Sequence, residues 1–497
     1  MKNKLFILVA VLAALGLLFA ACAPATPVVV EKEVIKEVPV EKEVIVEKEV
    51  VKEVPVEKEV EVVVTATPAP EKIHTVVWMC RTGPVENKWE REMVIPAFEA
   101  RYPNIKIEHL IIDQDDIAVK REAMIAAGEP LHVWSTNWGG DGFASDRYRG
   151  LLEDLTPLIE RDGFDLGDYK PELIAIYESE GKQWGIPFLS TGSYIYYNMA
   201  RFDEAGVEYP PTDWDDTTWT WDAMVDMAKE LTHDYGDIEK GVYGLSFDRQ
   251  NLEGLPMIFG LFPFPEDAYD TGFAEEVTIA EDPRAAQAFQ ARHDLIYKDK
   301  VMPDAGIFDA LSALGGAFES GKMAMLQTGG WGHWVWTGLF EEFCWAAAPL
   351  PYGDPEYKGP RAIIYTDPWV ITAGLPEGER EAAWTFIKYL TSVEASRSYY
   401  QSTNTPPTRR SLLEEWYQQF AQCQDPEDVR ETFDGAYKYG LESSNHLLVR
   451  WDELDRTWGN IFDTLYLDPN ATAEEVMPEL DRALEEVLTK IIAEEKK

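Results

Sequence analysis

The segment IHTVVWMCRTGPVENKWEREMVIPAFEARYPNIKIEHLII, residues 73–112, decides the fold of this chain. Its first part, residues 73–79, predicts a buried strand, and a Gly-Pro loop and an apolar-periodic helix follow it. Residues 105–111 alternate as a second strand, and residues 117–127 have the pattern of the next helix. Strand, helix, strand and helix in succession predict a parallel sheet with helices on its faces.

Two loops of this sheet are candidate binding edges, because ligands of such sheets sit where strands open into helices. One is residues 81–83, where Arg81 is a candidate donor to ligand hydroxyls; the alternative is a surface ion pair. The other is residues 138–142, where glycines around Trp138 and Asp141 let the backbone approach a ligand. Asp141 is equally suited to cap the helix that follows.

The N-terminus has the pattern of an exported, lipid-anchored protein. Two lysines precede an apolar run over residues 5–21, which predicts a signal peptide over residues 1–21. The run ends in Ala20-Ala21-Cys22, which resembles the bacterial lipobox, although Phe19 replaces the usual aliphatic residue. We expect lipidation of Cys22 and anchoring to the outer face of the membrane, at the cell surface or in the periplasm, without a membrane-spanning segment. An ordinary signal peptide is the alternative.

A repeat separates this anchor from the folded part. Residues 31–46 and 47–62 are two nearly identical 16-residue units rich in Glu, Lys and Val. Pro39 and Pro55 interrupt any helical stripe, so residues 22–72 are interpreted as a semi-rigid charged stalk. A weak coiled coil is the alternative.

Charge and length restrict what the remaining chain does. A folded part of more than 400 residues predicts two lobes rather than one core. The formal net charge of −44 disfavours nucleic acid and anionic lipid headgroups as partners. Cys80, Cys344 and Cys423 lack the spacing of a metal site and allow one disulfide, whose pairing the sequence leaves open.

A series of motifs carries a resemblance over nearly the whole span from residue 73 to about residue 410. They are EARYPNIK at 99–106, GLLEDLTPLI at 150–159, WGIP at 184–187, YYN at 196–198, FDEAGV at 202–207, WTWD at 219–222, AFESGKMAM at 317–325, GGW at 329–331, APLP at 348–351 and AWTFIKYLTS at 383–392. In this order they resemble family 1 extracellular solute-binding proteins, the maltose-binding-protein-like group. No single motif is diagnostic.

The resemblance implies an α/β, two-lobed periplasmic-binding-protein fold of type II, each lobe a mixed sheet flanked by helices, with hinge crossovers. The lobes map to residues 73–187 plus 361–400 and to residues 193–357 plus 405–497, with hinges at 187–193 and 357–361. It further implies a monomeric, carbohydrate-binding component of an ABC transporter that delivers an oligosaccharide to permease subunits. No cofactor, metal or catalytic residue is expected.

Sugar recognition needs flat apolar faces and planar polar side chains, which selects the candidate site residues. Trp331 resembles the family's Gly-Pro-Trp turn, whose tryptophan stacks on the sugar; Gly330 replaces the proline. The other candidates lie near the predicted hinges, where relatives contact sugar, and three of them belong to a loop of bulky residues after the second hinge. They are Tyr365, Asp367, Trp369, Thr191 and Ser193.

Two other functions fit parts of the pattern. A secreted glycoside hydrolase shares the export signal, aromatics and carboxylates, but adjacent acidic pairs are expected by chance in so acidic a chain. The same fold with a cationic solute, such as a polyamine or peptide, is suggested by the net charge. Salt-sensitive binding distinguishes that case from a neutral sugar.

Overall fold

The structure is a computed structural model that describes residues 72–247 and 253–496. The predicted signal peptide, the lipidation site Cys22 and all but the last residue of the predicted stalk lie outside the described residues.

The strands run in chain order from β1 to β11. They are β1 His74–Arg81, β2 Ile105–Ile112, β3 Val133–Trp134, β4 Glu178–Ser179, β5 Lys182–Gln183, β6 Ile186–Asn198, β7 Tyr243–Phe247, β8 Met323–Gly329, β9 Trp345–Ala348, β10 Ala362–Ile371 and β11 Gly440–Glu442.

Helices fill most of the segments between them. The α-helices are Pro84–Trp89, Ile95–Arg101, Ile117–Ala127, Phe143–Tyr148, Thr156–Asp162, Pro171–Ile176, Met199–Ala205, Trp221–Leu231, Gly254–Met257, Glu266–Thr271, Pro283–Tyr297, Ala305–Ser312, Gly332–Trp336, Glu377–Leu390, Val393–Thr403, Leu413–Phe420, Pro426–Lys438, Ser444–Leu447, Trp451–Leu467 and Ala473–Glu495. A π-helical turn at Glu90–Val94 joins the first two, and short 3-10 turns lie at Ile279–Glu281, Thr337–Glu341 and Arg410–Leu412.

The opening segment folds as the sequence predicts. β1 and β2 pair in parallel from His74 opposite Ile105 to Arg81 opposite Ile112. The helix after β2 spans Ile117–Ala127, the predicted range. The main path of the sheet continues in the order β2, β1, β3, β10, β6, β8, β7, with β10 antiparallel to both β3 and β6. The sheet is therefore mixed, as the predicted fold class requires.

Two buried apolar clusters lie along this sheet. The first core draws its side chains from residues 76–189 and 369–399. The second core draws them mainly from residues 194–364 and 400–491. β6 and β10 are long antiparallel strands of 13 and 10 residues that pass from one core to the other. The predicted lobe boundaries stay predictions.

The predicted hinges differ from the structure in their local form. Residues 187–193 lie inside the continuous strand β6, and residues 357–361 lead directly into β10. The prediction that residues 365–369 form a loop is wrong, because they belong to β10. Pro368 lacks the N–H that a ladder needs, and the pairing register shifts between Asp367 and Pro368.

A disulfide joins Cys344 to Cys423, which settles the pairing that the sequence left open. The two residues are 79 positions apart. The bond joins the segment before β9 to the connection between helices Leu413–Phe420 and Pro426–Lys438. Cys80 is a free thiol, buried in the first core. Closing a loop of this length lowers the entropy of the unfolded chain.

Candidate functional site

A cavity of about 740 Å³ opens where β6 and β10 cross between the two cores, within the usual size range of small-molecule sites. Side chains from three sources line it: segments of the first core, the crossing strands, and segments of the second core. In that order the lining residues that matter here are Arg81, Asn137, Thr191, Tyr365, Asp367, Trp331, Asp452 and Asp455.

Arg81 ends β1 and faces the cavity in a network of fixed partners. Its guanidinium lies 3.0 Å from the carboxylate of Glu86 and 5.2 Å from the ring centre of Trp138. The Trp138 indole N–H donates to Asp367 Oδ2 at 3.0 Å. Arg81 and Asp367 are therefore held in place before any ligand arrives, and both line the cavity.

The crossing strands present a hydroxyl and a phenol side by side. Thr191 on β6 is opposite Tyr365 on β10 in the strand register. Thr191 Oγ1 is buried and makes no hydrogen bond within the described residues, although it lines the cavity. A buried hydroxyl without a partner is costly. A ligand hydroxyl in the cavity would satisfy it.

Trp331 follows β8 and meets Tyr365 edge to face, with ring centres 4.9 Å apart. The structure explains why glycine precedes Trp331. A Cβ on Gly330 would lie 1.7 Å from Thr191 Oγ1, so no other residue fits at position 330 without movement. The half-buried Trp331 ring thus lines the cavity beside Tyr365, where the sequence predicted a stacking surface.

Four predicted site residues do not line the cavity. Trp138 and Trp369 are only 3% and 2% exposed and pack edge to face in the first core, and Phe188 stacks on the Trp369 ring at 4.1 Å. Ser193 is buried and its hydroxyl bonds the backbone of Ile363. Trp138 still acts on the cavity through its bond to Asp367.

Asp141, the fourth, is engaged with other parts of the protein. Its carboxylate pairs with Arg149 at 3.1 Å and accepts the backbone N–H of Asp452 at 3.3 Å. The capping alternative is wrong, because the N-cap of helix Phe143–Tyr148 is Gly142, and the side chain that accepts the N–H of Phe143 is that of Asn137.

The glycines of residues 139–142 admit another segment of the chain. A Cβ on Gly140 would lie 2.4 Å from the Asp452 side chain, and one on Gly142 would lie 2.2 Å from the carbonyl oxygen of Asn445. The expected close approach is real, but at these two positions the group that approaches is protein. Gly139 and Gly140 also line the cavity.

Sequence reasoning missed the C-terminal side of the cavity. The missed residues in this part of the chain are Ser443, Asn445, His446, Trp451, Asp452, Asp455 and Arg456. No motif marked this stretch. Asn137 was also missed, although it adjoins Trp138; its amide donates to the Tyr177 hydroxyl at 2.8 Å and to the Thr366 carbonyl at 2.6 Å.

Acidic groups crowd this C-terminal side. Burial and the neighbouring Asp141 raise the pKa of Asp452 to about 6. Burial and the Asp452 charge raise the pKa of Asp455 as well. Arg456 partly offsets this charge through an ion pair with Asp452 at 2.9 Å. The cavity can therefore bind flat apolar faces, hydroxyl groups and amide-like groups, and it attracts positive charge.

Comparison with known proteins assigns this chain to a family. The family model described as bacterial extracellular solute-binding protein matches residues 94–425, about two thirds of the chain. The chain belongs to that family. The expected resemblance is confirmed.

Individual relatives of this solute-binding protein are distant. A putative binding protein of Brucella abortus is 30% identical over 145 residues, which are 28% of this chain and 32% of the relative. The chain thus matches only about a third of that relative's length.

Two solved structures share the fold over 84% of this chain. An ABC substrate-binding protein of Listeria monocytogenes in complex with cycloalternan is 21% identical, is covered completely and has a TM-score of 0.68. UgpB of Mycobacterium tuberculosis in complex with glycerophosphocholine is 19% identical, is covered over 99% and has a TM-score of 0.67. These likenesses confirm the predicted two-lobed fold.

Within the described residues, no helix has the length and apolar character needed to cross a membrane.

Proposed function

We propose that this solute-binding protein captures a carbohydrate in the cavity between its two lobes and delivers it to the permease of an ABC importer. The observation that carries the proposal is the set of groups around one cavity. They are the Trp331–Tyr365 ring pair, the Thr191 hydroxyl, which has no hydrogen-bond partner among the described residues, and the fixed side chains of Arg81 and Asp367.

Each of these groups suits a sugar. An aromatic face covers the C–H patch of a ring, and planar charged or amide groups bond two adjacent hydroxyls. Buried groups that need hydroxyl partners reject ligands without them. A cavity of about 740 Å³ has room for more than one ring. The cycloalternan complex of the Listeria relative is consistent with such a ligand.

Calorimetric titration of the full chain with a panel of neutral oligosaccharides tests this function. We expect at least one to bind with an affinity that changes little between low and high salt, because a neutral ligand has no charge to screen. Native mass spectrometry of the protein from its own host identifies a co-purified ligand. Failure of every neutral sugar, together with a charged co-purified ligand, would contradict the proposal.

A second candidate is capture of a cationic solute such as a polyamine or peptide. Asp115, Asp452 and Asp455 line the same cavity. Burial raises the pKa of the last two, and repulsion from Asp141 on Asp452 and from Asp452 on Asp455 adds to the rise. A cation would relieve this repulsion. Binding that weakens steeply with added salt would favour this candidate over a neutral sugar.

Transport without catalysis follows from the same proposal. A ligand that contacts both walls of the cavity selects a closed arrangement of the lobes by its differential affinity. X-ray scattering should show a smaller radius of gyration at saturating ligand, and no new reducing ends should appear after incubation with oligosaccharides. Sustained release of reducing ends would instead support the hydrolase.

We also propose that the protein acts as a monomer held at the outer face of the membrane by lipid on Cys22. The Ala20-Ala21-Cys22 sequence after the apolar run supports this anchor. Cys22→Ser should move the protein from the membrane fraction to the soluble fraction, because a chain without acyl groups loses its anchor. Equal membrane binding of the variant would show that something else holds the protein.

A further inference from the structure

A buried group of three side chains in the first core lies outside the cavity and outside the proposed function. Cys80 on β1, His109 on β2 and Glu90 on the π-helical turn bring three ligand-type atoms within 4.8 Å of one another. We propose that these residues supply the three protein ligands of a buried zinc site that pins the first helical segment to the sheet.

The strand register explains how the cluster forms. Trp78 is opposite His109 in the parallel β1–β2 pair, and Cys80 is two residues beyond Trp78. Side chains two residues apart share a face of a strand, so the thiol and the imidazole lie on the same side of the sheet. The Trp78 and His109 rings stack with centres 5.2 Å apart, which orients the imidazole.

The contact between His109 and Glu90 has the distance of two ligands of one ion. His109 Nε2 lies 3.0 Å from Glu90 Oε2, yet this nitrogen is buried and has no hydrogen-bond partner in the described part of the chain. Its N–H direction therefore does not run to the carboxylate. Two ligand atoms about 2 Å from one zinc ion are about 3.3 Å apart and point at the ion instead of at each other.

The donor types and their charges match zinc. Thiolate, imidazole and carboxylate are the three side-chain ligands that zinc takes. A thiolate and a carboxylate neutralise a divalent cation, and a neutral cluster is the form that a buried position tolerates. Cys80 is fully buried and the Glu90 and His109 side chains are 6% and 9% exposed, so burial is close to complete.

A neighbouring amide orients the carboxylate. Asn87 Nδ2 donates to Glu90 Oε2 at 2.6 Å and to the Arg81 carbonyl at 2.9 Å. Supporting hydrogen bonds of this kind hold metal ligands in position. The π-helical turn at Glu90–Val94 is the other local signal, because such turns are frequent at functional sites.

Zinc content of the full chain, purified in detergent, tests the site. After incubation with Zn²⁺ and dialysis, we expect about one ion per chain, and an upward shift in melting temperature when Zn²⁺ is present. Cys80→Ser and Glu90→Gln should lose the ion and the shift. His132→Asn alters another buried histidine, which accepts the N–H of Val77 on β1 and lies outside the cluster, and should retain both.

Cobalt substitution gives a readout that stays unchanged if the three side chains only pack together and bind no metal. Co²⁺ bound to the wild-type protein should show the near-ultraviolet absorption of a cobalt–thiolate bond, and Glu90→Gln should lose it. A folded wild-type protein that retains no zinc and shows no thiolate absorption would overturn the proposal. Equal retention by Glu90→Gln would do the same, and that isosteric variant keeps the test valid if Cys80→Ser fails to fold.

Discussion

The two walls of the cavity differ in how their polar groups are held. On the first wall, Arg81 pairs with Glu86, and Asn137 donates two hydrogen bonds to fixed partners. On the second wall, burial raises the pKa of both Asp452 and Asp455, and neighbouring carboxylates add to the rise, Asp141 for Asp452 and Asp452 for Asp455. The first wall is preorganised. The second wall retains unfavourable charge that a ligand can relieve.

This difference suggests how the walls share the work of binding. Preorganised groups lose little freedom when a ligand arrives and so favour tight binding. Groups under electrostatic strain change most on binding, because a ligand or a lobe movement alters their surroundings. The strongest tests therefore change one wall and leave the other untouched.

The largest expected effect comes from the core that supports the first wall. Trp369→Ala should lower the free energy of unfolding by about 3–5 kcal/mol, because a ring 2% exposed and stacked on Phe188 leaves a cavity behind. Denaturant unfolding measures the change. A loss of affinity with unchanged stability would show that Trp369 contacts ligand after all.

A smaller effect is expected from the second wall. Trp331→Ala should weaken ligand binding by about 1–3 kcal/mol, or roughly 5- to 150-fold, because it removes a stacking face from the cavity. Its half-buried ring predicts little change in melting temperature. Calorimetric affinity and a thermal melt on the same variant separate the two roles, and unchanged affinity with a collapsed melting temperature would place Trp331 in the core.

The smallest effect concerns charge on the second wall. The folded-state pKa of Asp452 is about 6, above its ordinary value of 3.8. The folded protein therefore binds the proton more tightly than the unfolded chain, and stability falls as pH rises from about 4 through 6. Asp452→Asn should flatten this fall and add about 1 kcal/mol above pH 6, allowing for solvent screening.

Melts across this pH range measure the difference between wild type and Asp452→Asn. Glu485→Gln, an exposed carboxyl change on helix Ala473–Glu495, is the matched control and should leave the pH profile as it is. A wild-type stability profile that is flat between pH 4 and 7 would contradict the electrostatic strain expected on the second wall.

Part of the site could be predicted because local patterns carry it. Arg81 ends a strand whose apolar run is evident, and Tyr365 and Asp367 lie two residues apart on one face of β10. Trp369 continues that alternation, but the register shift at Pro368 and the stacking of Phe188 cover its ring. Its burial depends on a neighbouring strand, which no local pattern reveals.

By itself, the sequence determined the opening strand–helix–strand–helix unit and the family, because hydrophobic periodicity and turn residues act over short distances. Only the tertiary structure decided that Ser443, Asp452 and Asp455 reach a cavity lined by Arg81, more than 350 residues earlier in the chain. It also decided that Cys344 pairs with Cys423 and that Cys80 meets Glu90 and His109. Such contacts follow from how the cores and crossing strands pack in three dimensions, and side-chain spacing along the chain does not encode them.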